Sequence, residues 1–330
     1  MTKFKILEAT EAMSDWDALV RSSREGTLFS LSEYLSSTGI NYRAYFVKKG
    51  HEIRAGFCFL VNSDDTQIIS DDLVIYSGIL FANNAHQKET RKKTERHEIT
   101  HFVIEFLTER YHSITFQLSP HFEDLRPFLW HNYHSENKNE KFSVNLKYTS
   151  FLDIHDLFYK KNLADNNVYQ ALDKRRQTDI EKAKVNGLTF TGNHIETQAF
   201  IALYQQTLLL QDKHVSERYL DRMSSLIDKT CDHGLLKKYA VKNSDHEISY
   251  IVIFGIFNNT ATYIFGAGNP HIMQRYDATY CLWEAFNHLS HHYGISLIDM
   301  EGINSPQRGA YKLDFGGSIS PYYHVTYRSV

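Results

Sequence analysis

The chain has 330 residues, 42% of them hydrophobic and 23% charged, with a formal net charge of −3. That length and composition provide for buried cores in about two domains of 150 residues, and they exclude a disordered or collagen-like chain. The slightly acidic balance excludes bulk attraction to nucleic acid as a driving force, so any phosphate binding has to be local.

The elements open with Trp16, Leu19 and Val20, spaced as a short amphipathic helix. Tyr45 to Val47 and Ile53 to Val61 read as adjacent strands, rich in aromatic and β-branched residues. Asp71-Asp72 marks a turn before a further strand at Leu73 to Tyr76, and the polar stretch 83–96 reads as a loop entering a helix. Ile99, Phe102, Val103, Phe106 and Leu107 recur at helical spacing, and a strand at Ile114 to Leu118 stops at Ser119-Pro120. Phe142 to Ile154 alternates as a strand, which places a domain boundary near residue 150.

The second half opens with a helix from about Tyr169 to Asn186, ended by Gly187. Helical stripes follow at residues 200–208 and 219–227. Strands are expected at Lys238 to Val241, Ile248 to Phe257 and Ala261 to Phe265, then a helix at Asp277 to His292, a strand at Ile295 to Met300 and a last strand at Tyr322 to Tyr327. Each half thus carries an antiparallel pair, a helix and a short buried strand, a weak internal repeat. The domains expected are 1–150 and 151–330, with the last strand, within 320–330, free to return to the first.

Cys58, Cys231 and Cys281 form no CxxC pair, which argues against a disulfide framework and fits a reducing compartment. No secretory signal and no apolar run of membrane-spanning length is visible, so a cytoplasmic location is expected. No P-loop or nucleophile elbow is present, and Gly266-Ala267-Gly268 leads to Asn269-Pro270 rather than to a dinucleotide-binding helix. His97-Glu98-Ile99-Thr100-His101 has the HExxH form of a zinc hydrolase. The candidate third ligand, Glu123, follows a strand and a proline. The segment therefore reads as the polar start of a helix, no metal is expected, and a zinc hydrolase is kept only as an alternative.

The last seventy residues are the informative ones. They run through Tyr263-Ile-Phe-Gly266, Leu282-Trp283-Glu-Ala285, Tyr293-Gly294-Ile-Ser-Leu-Ile-Asp299-Met-Glu301-Gly302, and Tyr311-Lys312-Leu-Asp-Phe315-Gly316-Gly317. Upstream lie Arg175-Arg176, Ile180, Lys182-Ala183 and Gly187, and nearer the start Gly26-Thr27-Leu28-Phe29 with Tyr34-Leu35. In this order the segments resemble the Fem family, enzymes that transfer an amino acid from aminoacyl-tRNA to a peptidoglycan precursor, and the wider group of tandem acetyltransferase-like acyltransferases. The resemblance covers most of the chain and is strongest over 169–317. It implies an α/β (mixed α+β) fold of two tandem acyl-CoA N-acyltransferase-like (GNAT) domains sharing a cleft. The implied reaction is acyl or aminoacyl transfer to an amine of a cell-envelope precursor or sugar. Nothing need be tightly bound: acyl-CoA or aminoacyl-tRNA is the donor substrate. The partners implied are a phosphorylated precursor, a tRNA acceptor end and a peripheral approach to the membrane. A degenerate transferase that binds the precursor without turnover is the other alternative.

Acyl transfer to an amine needs a positioned donor, a deprotonated amine and a stabilised oxyanion. Lys312, Arg175 and Arg176 are candidate phosphate ligands, against salt bridging for Lys312 and a solvated helix face for the arginines. Asp299 and Glu301, two apart on one strand, would share a face as a carboxylate pair. Tyr263 and Tyr311 would position substrate, Tyr263 by donating to a carbonyl or binding phosphate, against core packing with a satisfied hydroxyl, and Gly316-Gly317, counted with the substrate-binding residues, mark a turn needing free backbone angles. Lys312 is expected to point into the cleft near Arg175 or Arg176. The sequence also departs from its relatives. Asp277 stands in Gln274-Arg275-Tyr276-Asp277 where acetyltransferases use glycine to hold the CoA pyrophosphate at a helix N-terminus, and an acidic side chain there opposes a pyrophosphate.

Overall fold

The structure is a computed structural model, and it describes residues 3–160, 162–192 and 195–329. The chain divides into two compact units, residues 1–147 with 321–330, and residues 148–320.

The first unit opens with β1 (Lys5–Glu8), α1 (Met13–Ser22) and α2 (Ser32–Ser37). A hairpin follows of β2 (Tyr42–Lys49) and β3 (Glu52–Val61), then β4 (Ile68–Ile69), β5 (Gly78–Phe81), α3 (Glu89–Thr108), β6 (Ser113–Gln117) and α4 (Arg126–Trp130). β1, β2 and β3 pair in sequence order, antiparallel, and both β4 and β5 pair with β3. The strand expected at Leu73 to Tyr76 is instead a buried turn closed by Val74 N donating to Asp71 O, and the strand begins at Gly78, whose φ is +106°. α3 buries Ile99, Val103, Ile104 and Leu107 against Phe57, Phe59, Ile79 and Phe116.

β7 (Ser143–Asp153) leads into the second unit. There α5 (His155–Tyr159), α6 (Asn167–Ala171) and α7 (Lys174–Val185) precede β8 (Thr189–Thr191), α8 (Thr197–Leu209) and α9 (Glu217–Asp232). The single helix expected from Tyr169 to Asn186 is two, because the Asp173 carboxylate accepts from Arg175 N at 2.8 Å and caps a new helix there. β9 (Leu236–Lys242), β10 (Ile248–Phe257) and β11 (Thr260–Gly268) form an antiparallel meander. α10 (Arg275–Tyr293) then crosses back, ending at Gly294 in the left-handed conformation, and β12 (Leu297–Asp299) lies parallel to β11. β12 is flanked on its other side by antiparallel β7. α11 (Pro306–Leu313) is a helix where the sequence reading had none. β13 (Ser318–Arg328) closes the chain, and its residues His324–Arg328 pair with β6 in the first unit.

Hairpin, third strand, helix and returning strand therefore recur in both units. Trp283, Phe286 and Leu289 of α10 pack on Val252 and Phe254 of β10 in the core of the second. The helix and parallel strand need the crossover that only a segment of this length provides.

Candidate active site

The site is built where β11 loses its neighbour. Parallel pairing with β12 covers only Thr260–Thr262 against Leu297–Asp299, while β11 runs on to Gly268. The β10–β11 register slips at this point, Ile253 facing Phe265 and Phe254 facing Tyr263, so Ile264 is an extra residue. Such a bulge adds local twist and turns the strand away from its former partner. Beyond it opens a cavity of about 540 Å³ whose lining includes Tyr204, Tyr250, Tyr263, Phe265, Met300 and Lys312, all in the second unit.

The loop after β12 is fixed by three bonds. Met300 N donates to Ser150 O, Ile303 N to Tyr148 O, and Glu301 N to the Asp299 carboxylate at 2.9 Å. Glu301 takes φ +55°, so it leaves the strand geometry, and the shared face expected for Asp299 and Glu301 is not formed. Asp299 is buried and also accepts from the Thr149 hydroxyl; it holds the turn that presents Glu301.

α11 approaches this loop closely because residue 309 is glycine: a Cβ there would lie 2.5 Å from Ile303 O. One helical turn later Lys312 lies on the same face. Its Nζ donates to the Glu301 carboxylate at 3.2 Å and to the carbonyls of Glu301 and Gly302 at 3.3 Å, and it sits 4.9 Å from the centre of the Tyr263 ring. Burial pushes the Lys312 ammonium below the usual lysine range, and Glu301 opposes that shift only in part.

Tyr263 Oη is 3.1 Å from Tyr250 Oη. The two hydroxyls meet over Gly266, where a Cβ would come within 2.1 Å and 2.4 Å of them. One proton of this pair is donated between the partners. The other has no acceptor among the described residues and is available to a carbonyl oxygen in the cavity. Burial raises the pKa of both tyrosines, which keeps them protonated donors. Tyr250 was not singled out in the sequence; the register that sets it beside Tyr263 is a property of the hairpin.

Of the other expected residues only Tyr311 shares the cavity, and it stacks edge-on with Phe315. Arg176 is buried, paired with Asp179 at 2.9 Å and Asp314 at 3.3 Å, with its guanidinium 4.8 Å from the Tyr311 ring centre. Its partner set is separate from that of Lys312. Arg175 is exposed, beside Lys174, Lys182 and Arg275 around a shallow depression. Gly316, at φ +83°, packs on Ala171 O, and a Cβ on Gly317 would lie 2.3 Å from Ser150 Oγ; both serve close packing and neither lines the cavity.

The helix N-terminus at α10 is filled from within the chain. The buried Asp277 carboxylate accepts from Gln274 N at 3.1 Å, and the Gln274 side chain accepts from Asp277 N, a reciprocal capping box. His97 and His101 lie in the middle of α3 rather than at its start. Glu98 bonds Lys3, His101 lies 3.4 Å from Glu105, and no cluster of three metal-ligating side chains occurs among the described residues. No helix among them is long and apolar enough to cross a membrane.

No protein-family model matches the sequence. No curated protein matches it. Solved structures do match. FemX superposes with a TM-score of 0.65 at 11% identity, covering 97% of this chain and 96% of its own. The C-terminal domain of a putative lysylphosphatidylglycerol synthetase from Agrobacterium fabrum gives 0.54 at 11%, covering 97% and 93%. A tandem GNAT protein from the clavulanic acid biosynthesis pathway gives 0.51 at 9%, covering 98% and 97%. The chain therefore has the tandem acetyltransferase-like fold that FemX and these proteins share.

Proposed function

We propose that the chain is an acyltransferase. It moves an acyl or aminoacyl group from an activated ester or thioester to an amine of a phosphorylated cell-envelope or sugar precursor. One observation carries the reading: in a fold that FemX and a tandem GNAT protein also adopt, the open edge of β11 faces a cavity holding a Lys312–Glu301 pair beside the Tyr250–Tyr263 hydroxyls.

The acceptor nitrogen attacks the acyl carbon, forming the C–N bond, and the carbonyl oxygen becomes an oxyanion. The spare tyrosine proton is the donor that meets this charge, and the Lys312 ammonium, its three protons already bonded to Glu301 and Gly302, stabilises it as a fixed positive charge beside it. Glu301 takes the proton released by the amine. As the C–O or C–S bond to the carrier breaks, that proton passes to the departing alkoxide or thiolate. The cap on α10 already uses two of the backbone donors at that helix end, which favours a donor held by its acyl end and the strand edge.

The test is a transfer assay. The purified protein is incubated with panels of aminoacyl-tRNAs and acyl-CoA thioesters and with amine-bearing sugar nucleotides and cell-wall precursors, and products are weighed by mass spectrometry. A product whose mass rises by the acyl increment, lost in Lys312→Met and Glu301→Gln, supports the reading. Precursor binding without any product from either donor class would make this a binding protein instead.

A further inference from the structure

We propose that the acyl group this cavity accepts is uncharged and apolar, aliphatic or aromatic, and that a cationic acyl group is rejected. The inference rests on the acyl-transfer reading above and adds the class of donor.

The inner wall is formed by Tyr204, Leu208, Phe265, Met273, Leu282 and Met300. The cavity contains one carboxylate, Glu301, and that carboxylate is already bonded by Lys312. The remaining charged group is Arg308, exposed at the rim and bonded to the Gln211 side chain at 3.1 Å. An ammonium at the end of a lysyl or ornithyl group would leave water, find no unneutralised carboxylate, and face two cations. Burying an unpaired charge is costly, and like charge adds to that cost. An apolar group gains by the same burial and disturbs no pair. The volume, about 540 Å³, lies within the range of pockets that enclose small organic ligands, enough for a long or aromatic acyl group with the start of its carrier.

Two carriers supply the same acyl chemistry, and matched pairs on each separate them. The probes are the Nα-acetylnorleucyl and Nα-acetylornithyl 3′-amides of adenosine, and non-hydrolysable hexanoyl and 5-aminopentanoyl analogues of pantetheine thioester. Each pair differs by a methyl against an ammonium. Titration calorimetry on the full chain is expected to show the uncharged member binding about tenfold or more tightly on whichever carrier is accepted. Equal affinity, or preference for the cation, overturns the inference and leaves the acyl-transfer reading standing. Binding of none of the four overturns both. A gain-of-charge variant gives a second readout. Met273→Glu, at a half-buried wall position, is expected to shift the ratio about tenfold toward the cationic member. An unchanged ratio in the folded variant would remove the acyl group from this cavity.

Discussion

Lys312→Met removes the charge at the centre of the site and keeps an unbranched stem of similar length. If the Lys312–Glu301 pair were a keystone, deleting one partner would cost about 3–5 kcal/mol, the loss seen when a buried charge is stranded. Three features of this structure argue for much less. The contacts of Nζ are long, 3.2–3.3 Å, at or beyond the outer end of the normal range. The Glu301 side chain keeps 28% of its exposure, so water replaces the lost donor and no charge is stranded. The sign of the Lys312 shift is also informative: burial disfavours the ammonium by more than Glu301 restores, so the charged lysine is less well solvated here than in water. Methionine escapes that penalty and fills the space. The expected stability change is within about 1 kcal/mol of zero, the range of a shape-conserving swap.

Transfer should behave differently. Removing the fixed positive charge beside the oxyanion should lower the chemical rate by about 10²–10³, the cost of losing one oxyanion-stabilising group. The assay pairs chemical denaturation with single-turnover transfer. Loss of more than about 3 kcal/mol of stability would refute the solvation argument. A variant that folds and transfers at the parent rate would refute the assignment of Lys312 to the chemistry.

Four further outcomes can be measured. The transfer rate should fall on the alkaline side at a pH below that of a free lysine, because burial makes the folded ammonium deprotonate early. Stability should change the opposite way: the folded state sheds this proton first, so its contribution rises with pH over the same window, as pH-dependent denaturation will show. In the first unit, burial raises the Glu95 carboxyl, but hydrogen bonds from Arg54, Lys49 and Gln87 outweigh it and bring it to about 2. Its contribution is complete above the unfolded pKa, near 4.5, and is lost as pH falls toward about 2. Acid denaturation of Glu95→Gln should therefore be flatter across that window. Gly266→Ala should part the two tyrosine hydroxyls and reduce transfer at least tenfold with circular dichroism unchanged, whereas parent-level transfer would show the pair to be dispensable.

Strand and helix order was readable because apolar periodicity reports burial, and in β9 to β12 burial and element coincide. The failures arose where a single polar atom outweighs the pattern. Asp173 splits one expected helix by capping, and α11 was hidden because Gly309 looks like a breaker. The glycine is there because Ile303 O occupies the place of its Cβ, a fact of tertiary approach that no local rule contains. The site was half legible for the same reason. Lys312, Glu301 and Tyr263 carry chemistry in their side chains and stand close to motifs. Tyr250 joins them only through the register of β10 against β11, and Asp299 acts on Glu301 through a backbone N–H rather than by facing it.

Asp277 is the opposite case, a departure visible in the sequence whose meaning the structure sharpens. An acid at the third helical position reads as repulsion of a pyrophosphate. In the fold it is buried, and burial raises its pKa, so field repulsion is the smaller part of its effect. The larger part is occupancy. Its carboxylate takes Gln274 N, and the Gln274 side chain takes Asp277 N, so two of the backbone donors at this helix end are already bonded. With those two donors occupied by the chain's own carboxylate and amide, a diphosphate gains little at this helix end. Acyl-CoA and the matching acyl-pantetheine should accordingly bind within about threefold of each other, a difference of less than 1 kcal/mol. A CoA thioester bound more than tenfold tighter, and displaced by pyrophosphate, would mean the cap opens on binding and would return the helix end to the donor site.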